Sequence, residues 1–227
     1  SANVFSGSWA FRGLPFVHGY CGGVNCHFQI KHIDDLPINE SLFDNRVLVR
    51  EVYKNLELTA VNDFHEASSG DPLDMTSYKW PSYLTPLNNQ WLSRGGGDWL
   101  YFEDQPLTRI LSTITWSTAI SDQHYLSCYF YIKRSASNAG NPYRIEERVS
   151  RTNYLAFMHQ IMNSFILELS PKSKAEQVSV NSRISQQSRP VILCSSEQIE
   201  QAKRVLYHYS GFDYNEPGRD SEEVHRA

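Results

Sequence analysis

Residues 107–132, with the sequence LTRILSTITWSTAISDQHYLSCYFYI, give the clearest strand signal in the chain. Apolar and polar residues alternate over much of Leu107–Ile120, and the segment His124–Ile132 is dense in aromatic residues. Two such runs joined by a short polar turn are typical of a β-hairpin, and Ser121-Asp122-Gln123 fits that turn. We therefore predict a hairpin over 107–133, with its aromatic second strand at the centre of an antiparallel sheet.

Further strands are predicted before this hairpin. Residues 1–33 are β-rich, and the segment Cys26–Ile33 alternates, with Phe28, Ile30 and His32 on one side. Residues 46–61 are ambiguous, but their β-branched valines and threonine favour strands over a helix.

Two amphipathic helices are predicted in the second half of the chain. The first spans 142–169: Asn141-Pro142 is a good helix start, and apolar residues then recur at intervals of three and four. The second spans 196–210 and begins at a capping-box pattern formed by Ser195 and Gln198. The polar residues 170–189 between them predict either one short strand around 178–184 or a linker. A short buried strand is predicted at 189–194.

Residues 62–106 differ from the rest of the chain because they contain four prolines and show no sustained period. A long irregular segment inside a compact chain is usually functional or disordered. Disordered segments are poor in aromatic residues, whereas this one is rich in tryptophan and tyrosine, so we expect it to be ordered. The predicted fold is a single α+β domain over 1–212: an antiparallel sheet packed against two amphipathic helices, with a long irregular aromatic-rich insertion. A polar tail follows at 213–227.

Composition excludes several function classes. The chain has 227 residues and a net charge of −4, whereas nucleic-acid-binding domains normally carry a basic face. No run of about 18 apolar residues occurs, so no membrane span is predicted. The first residues lack the basic and apolar regions of a signal peptide.

The segment His18–His27, HGYCGGVNCH, is where sulfur, imidazole and glycine meet at short spacing. A disulfide between Cys21 and Cys26 is the favoured interpretation, since two intervening glycines allow the chain to bend. It indicates an oxidising compartment, periplasmic or secreted. One alternative is a pair of inert thiols on a turn. Another is a site for zinc, the one cofactor predicted, with the ligands His18, Cys21, Cys26 and His27. The third is a nucleophilic Cys21 with a histidine as its base.

Other polar clusters have ordinary explanations. Asp122 and His124 flank the hairpin tip, where turn chemistry favours aspartate. A group of acidic and imidazole side chains could hold a divalent metal, but a polar loop accounts for it equally: Asp63, His65, Glu66, Asp71 and Asp74. The glycine run at 95–97 matches neither a phosphate-binding loop nor a dinucleotide fingerprint.

Because no strong catalytic motif is present, we predict a non-catalytic binding protein that recognises another protein through an aromatic-rich surface. Tryptophan, tyrosine and arginine are the residues that most often anchor protein interfaces. The residues assigned to this surface are Trp80, Tyr83, Trp91, Arg94 and Trp99. The size and character of the chain are typical of a bacterial inhibitor or immunity protein, or of a periplasmic adaptor.

The alternative is a metal- or Cys/His-dependent hydrolase that uses the His18–His27 segment. His65 or His124 would then be contributed by another loop. Aromatic side chains together with Asn88, Asn89 and Asp98 would line a pocket for a glycan or another polar substrate.

Overall fold

The structure, a computed structural model, describes residues 1–13, 19–68, 86–104, 111–134, 149–184 and 189–191. These residues form six strands and three helices. The strands are β1 (Ala2–Arg12), β2 (Tyr20–His32), β3 (Pro86–Arg94), β4 (Gly97–Asp104), β5 (Leu111–Ala119) and β6 (His124–Arg134). The helices are α1 (Asn45–Ser68), α2 (Thr152–Ser164) and α3 (Pro171–Arg183).

All six strands belong to one antiparallel sheet in the order β1-β2-β6-β5-β4-β3. The sheet and the helices packed on it confirm the predicted α+β class. The β5–β6 hairpin is also confirmed: Ala119 pairs with Tyr125, and Ile120 N–H donates to the His124 carbonyl across the turn. Strand β6 lies between β2 and β5, which is the predicted central position. Within the described residues, no helix is long and apolar enough to cross a membrane.

One face of the sheet carries an aromatic core that is covered by α2. Alternate residues of each strand point to the same face, so a strict two-residue period brings the apolar side chains together. Helix α2 buries Tyr154, Met158 and Met162 against them. The sheet residues of this core are Val24, Cys26, Phe28, Trp99, Tyr101, Ile114, Trp116, Leu126, Cys128, Phe130 and Ile132.

The opposite face carries a second core, which is covered by α1. Leu100, Phe102 and Tyr125 project from β4 and β6 on this side. Helix α1 and the residues before it supply the rest of the core: Leu36, Leu42, Val47, Leu48, Val52 and Leu56. Because both cores share β4 and β6, these strands are buried on both faces.

The strand prediction for 46–61 is wrong, because these residues lie in α1. Leu48, Val52 and Leu56 are buried at intervals of four residues, which is the period of a helix. Asp44 caps the helix, since its carboxylate accepts a hydrogen bond from Arg46 N–H at 2.9 Å. Packing on one face and a good cap outweigh the weak strand propensity of the valines.

The strand or linker predicted within 170–189 is also wrong, because 171–183 form α3. Ser170 caps this helix by accepting a hydrogen bond from Ser173 N–H at 3.1 Å, and Pro171 occupies its first turn. Of the predicted helix over 142–169, residues 142–148 lie outside the described part; in the rest, α2 covers Thr152–Ser164 and the chain continues extended from Phe165. Pro190 and Val191 have no regular secondary structure. The helix predicted at 196–210, residues 192–194 and the tail at 213–227 lie outside the described residues.

The described residues of the irregular insertion predicted over 62–106 lie in regular elements. Residues 62–68 finish α1, residues 86–104 form the β3–β4 hairpin, and 69–85 lie outside the described residues. Gly95 and Gly96 make the two-residue turn between these strands, with φ values of +53° and +85°. Positive φ at both central positions is the signature of a type I′ turn, which glycine adopts without steric cost.

Replacing Gly95 should reveal how tightly this turn is held. A Cβ at Gly95 would collide with the carbonyl oxygen of Phe165, whereas a Cβ at Gly96 would lie 3.0 Å from that of Leu167. We expect Gly96→Ala to lower the free energy of unfolding by about 1–2 kcal/mol, the cost of a left-handed alanine. Gly95→Ala should cost more, because a backbone atom must also move. Urea unfolding of both variants checks this, and an equal loss would contradict the predicted collision.

Candidate functional site

A cleft of about 550 Å³ lies at the end of the sheet beside the Gly95–Gly96 turn. Three elements meet there: the β3–β4 hairpin, the beginning of α1 and one face of α3. The hairpin contributes Ser93 to Asp98, and the neighbouring strand β5 contributes Thr118 and Ala119. The cleft is therefore assembled from parts of the chain that are far apart in sequence.

The walls of the cleft are polar. Asn45 is the first residue of α1, and Gln177 and Asn181 lie four residues apart on α3, so both face the same side of that helix. Amide side chains both donate and accept hydrogen bonds. Together with the hydroxyls of Ser93 and Thr118, they give the cleft both donors and acceptors.

Leucine side chains supply the apolar part of the lining. Leu42 and Leu48 are buried in the core under α1, and each also lines the cleft. Leu167 and Leu169 reach it from the extended segment that follows α2. Their position is fixed by the backbone, because Leu167 N–H donates to the Gly95 carbonyl at 2.7 Å.

Three charged side chains stand at the rim. Arg189 Nη2 lies 2.7 Å from Asp98 Oδ2, and Asp98 also accepts a hydrogen bond from Ser93 Oγ. Arg94 is exposed and donates from Nη1 to the carbonyl of Ser93 at 2.8 Å. With one carboxylate and two guanidinium groups, the charged side chains of this rim sum to +1.

The structure separates the residues assigned to the aromatic surface. Arg94 lines the cleft, but Trp99 is fully buried in the aromatic core, where its indole N–H donates to the Arg94 carbonyl at 3.1 Å. Trp99 is therefore not part of an exposed surface. Trp91 is half-buried, and its indole N–H donates to the Pro190 carbonyl at 2.6 Å. Trp80 and Tyr83 lie outside the described residues.

The predicted disulfide is wrong, because Cys21 and Cys26 are free thiols of one extended strand, β2. Five residues of strand separate their Cα atoms by about 16 Å, whereas a disulfide needs about 7 Å or less. Burial raises the pKa of the Cys26 thiol. The argument for an oxidising compartment, which depended on this pair, no longer holds.

The same strand geometry divides the predicted zinc ligands. Cys26 points into the aromatic core, and His27 points to the other face, where its Nδ1 lies 2.6 Å from Ser6 Oγ. Adjacent strand residues face opposite sides, so these two side chains cannot bind one ion. His18 lies outside the described residues. Among the residues that are described, no group of three or more His, Cys, Asp and Glu side chains is suited to a metal.

The other polar candidates have structural partners or are not described. Asp122 accepts a hydrogen bond from Ser41 Oγ, and His124 Nδ1 lies 2.9 Å from Ser121 Oγ. The first bond attaches the hairpin tip to the chain before α1, and the second lies within the tip. The side chains of Asp63, His65 and Glu66 lie outside the described part, as do Asp71 and Asp74.

A buried carboxylate was not predicted from the sequence. Glu103 is 4% exposed and accepts hydrogen bonds from Tyr101 Oη and Asn88 Nδ2, both at 2.9 Å. Arg151 Nη1 lies 2.7 Å from its other oxygen. Burial and the Glu103 carboxylate raise the pKa of Tyr101. Since one oxygen accepts two hydrogen bonds and the other forms an ion pair with Arg151, we assign this network to structure: it ties β3 and β4 to the start of α2.

A sequence signal for Glu103 was present. It follows Trp99 and Tyr101 at intervals of two on β4, so strand periodicity places it on the buried aromatic face. Asn88 bonds to it from a left-handed backbone, with φ +53°. Asn88 therefore serves Glu103, and it does not line the cleft.

Alanine substitutions of Trp91 and Trp99, the two tryptophans of the predicted aromatic surface that the structure describes, should distinguish a half-buried side chain from a core side chain. Trp99→Ala should lower the free energy of unfolding by about 3–5 kcal/mol, because it empties a fully buried site. Trp91→Ala should cost clearly less, since Trp91 is only half-buried. Trp99→Phe, which keeps an aromatic ring in the core, is the control. Chemical denaturation checks the order, which would be refuted by Trp91→Ala costing as much as Trp99→Ala.

Stability should fall as the pH is lowered below 7. Burial lowers the pKa of His159, whose ring stacks on Tyr101 at 6.2 Å, and that of His124. The unfolded chain then binds more protons below about pH 6.5, so protonation favours unfolding. The stabilising contribution is complete above that pH and is lost as the pH falls towards the lower folded-state pKa values.

Urea unfolding at pH 7.0 and 5.5 measures this loss. His159→Gln should lose less stability over the interval than the unchanged protein. Gln160→Ala, an exposed change on the same helix, should lose as much. Both pH values lie above the ordinary pKa values of carboxylates, so the change in stability between them reports on histidine protonation. An identical loss in His159→Gln would exclude a contribution from this residue.

The sequence matches no protein-family model and no curated protein, and the structure matches no solved structure. What the chain binds must therefore be inferred from the shape, charge and hydrogen-bonding groups of its own surfaces.

Proposed function

We propose that this chain is a non-catalytic binding protein that recognises a segment of another protein in the cleft beside the Gly95–Gly96 turn. The observation that carries the proposal is the combination of leucine side chains and amide side chains in one open cleft of about 550 Å³. Protein segments present the matching pair of features, an apolar side chain and a polar backbone. Ligand sites are commonly concave, with a few polar groups that fix orientation.

The hydrogen-bonding groups support an extended peptide as the ligand. Asn45, Gln177 and Asn181 each carry a donor and an acceptor, which is what a peptide group also carries. An apolar side chain of the ligand would rest on Leu167 and Leu169, which are only partly buried. Burying one such side chain contributes about 1.5–3 kcal/mol.

The charges at the rim favour an acidic segment. Arg189 already faces Asp98 at 2.7 Å, so the exposed guanidinium of Arg94 supplies the net positive charge. Arginine binds carboxylates with two parallel hydrogen bonds, which adds geometric selectivity. We infer that the recognised segment carries an aspartate, a glutamate or a terminal carboxylate next to its apolar side chain.

The predicted hydrolase is less well supported. Cys26 and His27 face opposite sides of β2, so they do not form a joint site. A glycan ligand would call for an aromatic platform, and Phe43 is the only aromatic side chain among the described residues of the cleft. The subclass of inhibitor, immunity or adaptor protein stays a prediction.

Selection from a random peptide library tests the proposal. Peptides enriched on the full chain should bind Asn181→Trp at least tenfold more weakly, because the indole fills the cleft. Val178→Trp is the matched control: the same bulk is added to an exposed position of α3 that does not line the cleft. Its affinity should equal that of the unchanged protein.

Arg94→Ala tests the charge preference on the same peptides. The loss of a charged hydrogen bond of about 1.5–3 kcal/mol corresponds to a tenfold to hundredfold weaker affinity. Affinity should also fall as salt is added, since the rim is exposed. Enriched peptides that bind Asn181→Trp and Val178→Trp equally well would refute the cleft as the binding site.

A further inference from the structure

The edge strand β1 differs from the opposite edge of the sheet in how it is protected. Edge strands present unpaired backbone groups, and proteins usually blunt them with proline, charge or bulges. Strand β3 begins with Pro86, is irregular between Leu87 and Gln90, and ends with Arg94. Strand β1 also has register irregularities near its two ends and finishes with Arg12, but it contains no proline, and its regular stretch is longer than that of β3.

Seven consecutive residues of β1 carry none of these protections. The register with β2 shifts between Asn3 and Phe5 and again between Phe11 and Arg12, so Phe5–Phe11 is regular. The segment FSGSWAF contains no charge and no proline. Val4, just before this segment, is 60% exposed, and Phe5, its first residue, is 47% exposed. Among the described residues, β1 pairs on one side only, with β2.

From this we infer that a second copy of the chain pairs with β1 in antiparallel orientation, forming a continuous twelve-stranded sheet in a two-fold dimer. A two-fold axis perpendicular to the sheet keeps each face on the same side. Alternate residues of β1 form two rows of side chains, one on each face of the sheet. Each row then lies opposite the same row of the other copy. The two rows of β1 suit this arrangement.

The first row is aromatic and continues the core. Phe5 packs edge-on against Phe28 at 5.5 Å, and Trp9 packs against Phe157 of α2 at 5.3 Å. With the axis at Ser8, the centre of the regular segment, Phe5 of one copy lies opposite Phe11 of the other. The aromatic layer under α2 would then continue across the interface.

The second row consists of Ser6, Ser8 and Ala10, which are small and exposed. Ser6 and Ser8 bond to His27 and Asn25 of the same chain. Small side chains let two strands approach, and the segment contains no charge that could repel its copy. The dimer uses the edge opposite β3, so both clefts stay open at the outer ends of the joined sheet.

The oligomeric state of the full chain tests this inference. Light scattering across about 1–200 µM should show a concentration-dependent species of twice 26.1 kDa. Phe5→Lys places a charge on the edge and should raise the dimer dissociation constant at least tenfold. Ile166→Lys, which adds the same charge at an exposed residue away from β1, should leave the dimer dissociation constant unchanged. Circular dichroism confirms that both variants are folded.

Cross-linking gives an independent measurement that does not depend on stability. Opposed residues of antiparallel strands have Cα atoms about 4.5–5.5 Å apart, within the range of a disulfide. Ser8→Cys should therefore form a covalent dimer on mild oxidation. Ser6→Cys, on the same row but displaced from the axis, should not. A monomer at every concentration overturns the proposal, as does a dimer indifferent to Phe5→Lys or a Ser8→Cys variant that does not link.

Discussion

The hydrogen bond from Leu167 N–H to the Gly95 carbonyl joins two distant parts of the chain, and the geometry of the cleft depends on it. It attaches the segment after α2 to the turn between β3 and β4. Because the backbones approach so closely, a side chain at Gly95 would collide with Phe165. The same contact accounts for the end of α2 at Ser164, since the chain must leave the helix to reach the turn. It also places Leu167 and Leu169 in the cleft.

Much of the sheet could be predicted from the sequence because strand periodicity is a local signal. The β5–β6 hairpin and the β-rich beginning follow from alternation alone. The β3–β4 hairpin had a signal too: two glycines between two runs with aromatic residues are typical of a type I′ turn. That signal was lost because prolines and polar residues before it made the whole region look irregular.

The helices α1 and α3 were harder to predict, for different physical reasons. Helix α1 contains valines whose strand propensity is outweighed by packing of Leu48, Val52 and Leu56 on the sheet. Helix α3 buries only Val180, so it has almost no apolar stripe, and its cap at Ser170 is the main local signal. The cleft draws Asn45 from the first helix and Gln177 from the second. A site assembled from such elements cannot be inferred from spacing along the chain.

The two faces of the sheet explain why the β1 side of the molecule is built differently from the β3 side. Strands β4 and β6 contribute to both cores, whereas β1 and β2 contribute to the aromatic core alone. On their other face the exposed serines of β1 bond to His27 and Asn25.

Lys31 also lies on this face, 5.3 Å from the ring centre of Tyr129, and burial lowers its pKa to about 8. On this face the polar side chains of β1, β2 and β6 therefore contact one another through hydrogen bonds and a cation–π contact. Within the described part of the chain, the side chains of this face of β1 and β2 belong to neither core, whereas the aromatic row on the other face is continuous with the core under α2. The core thereby anchors one row of β1 side chains and leaves the row of small serines exposed, and the proposed pairing with a second copy uses both rows.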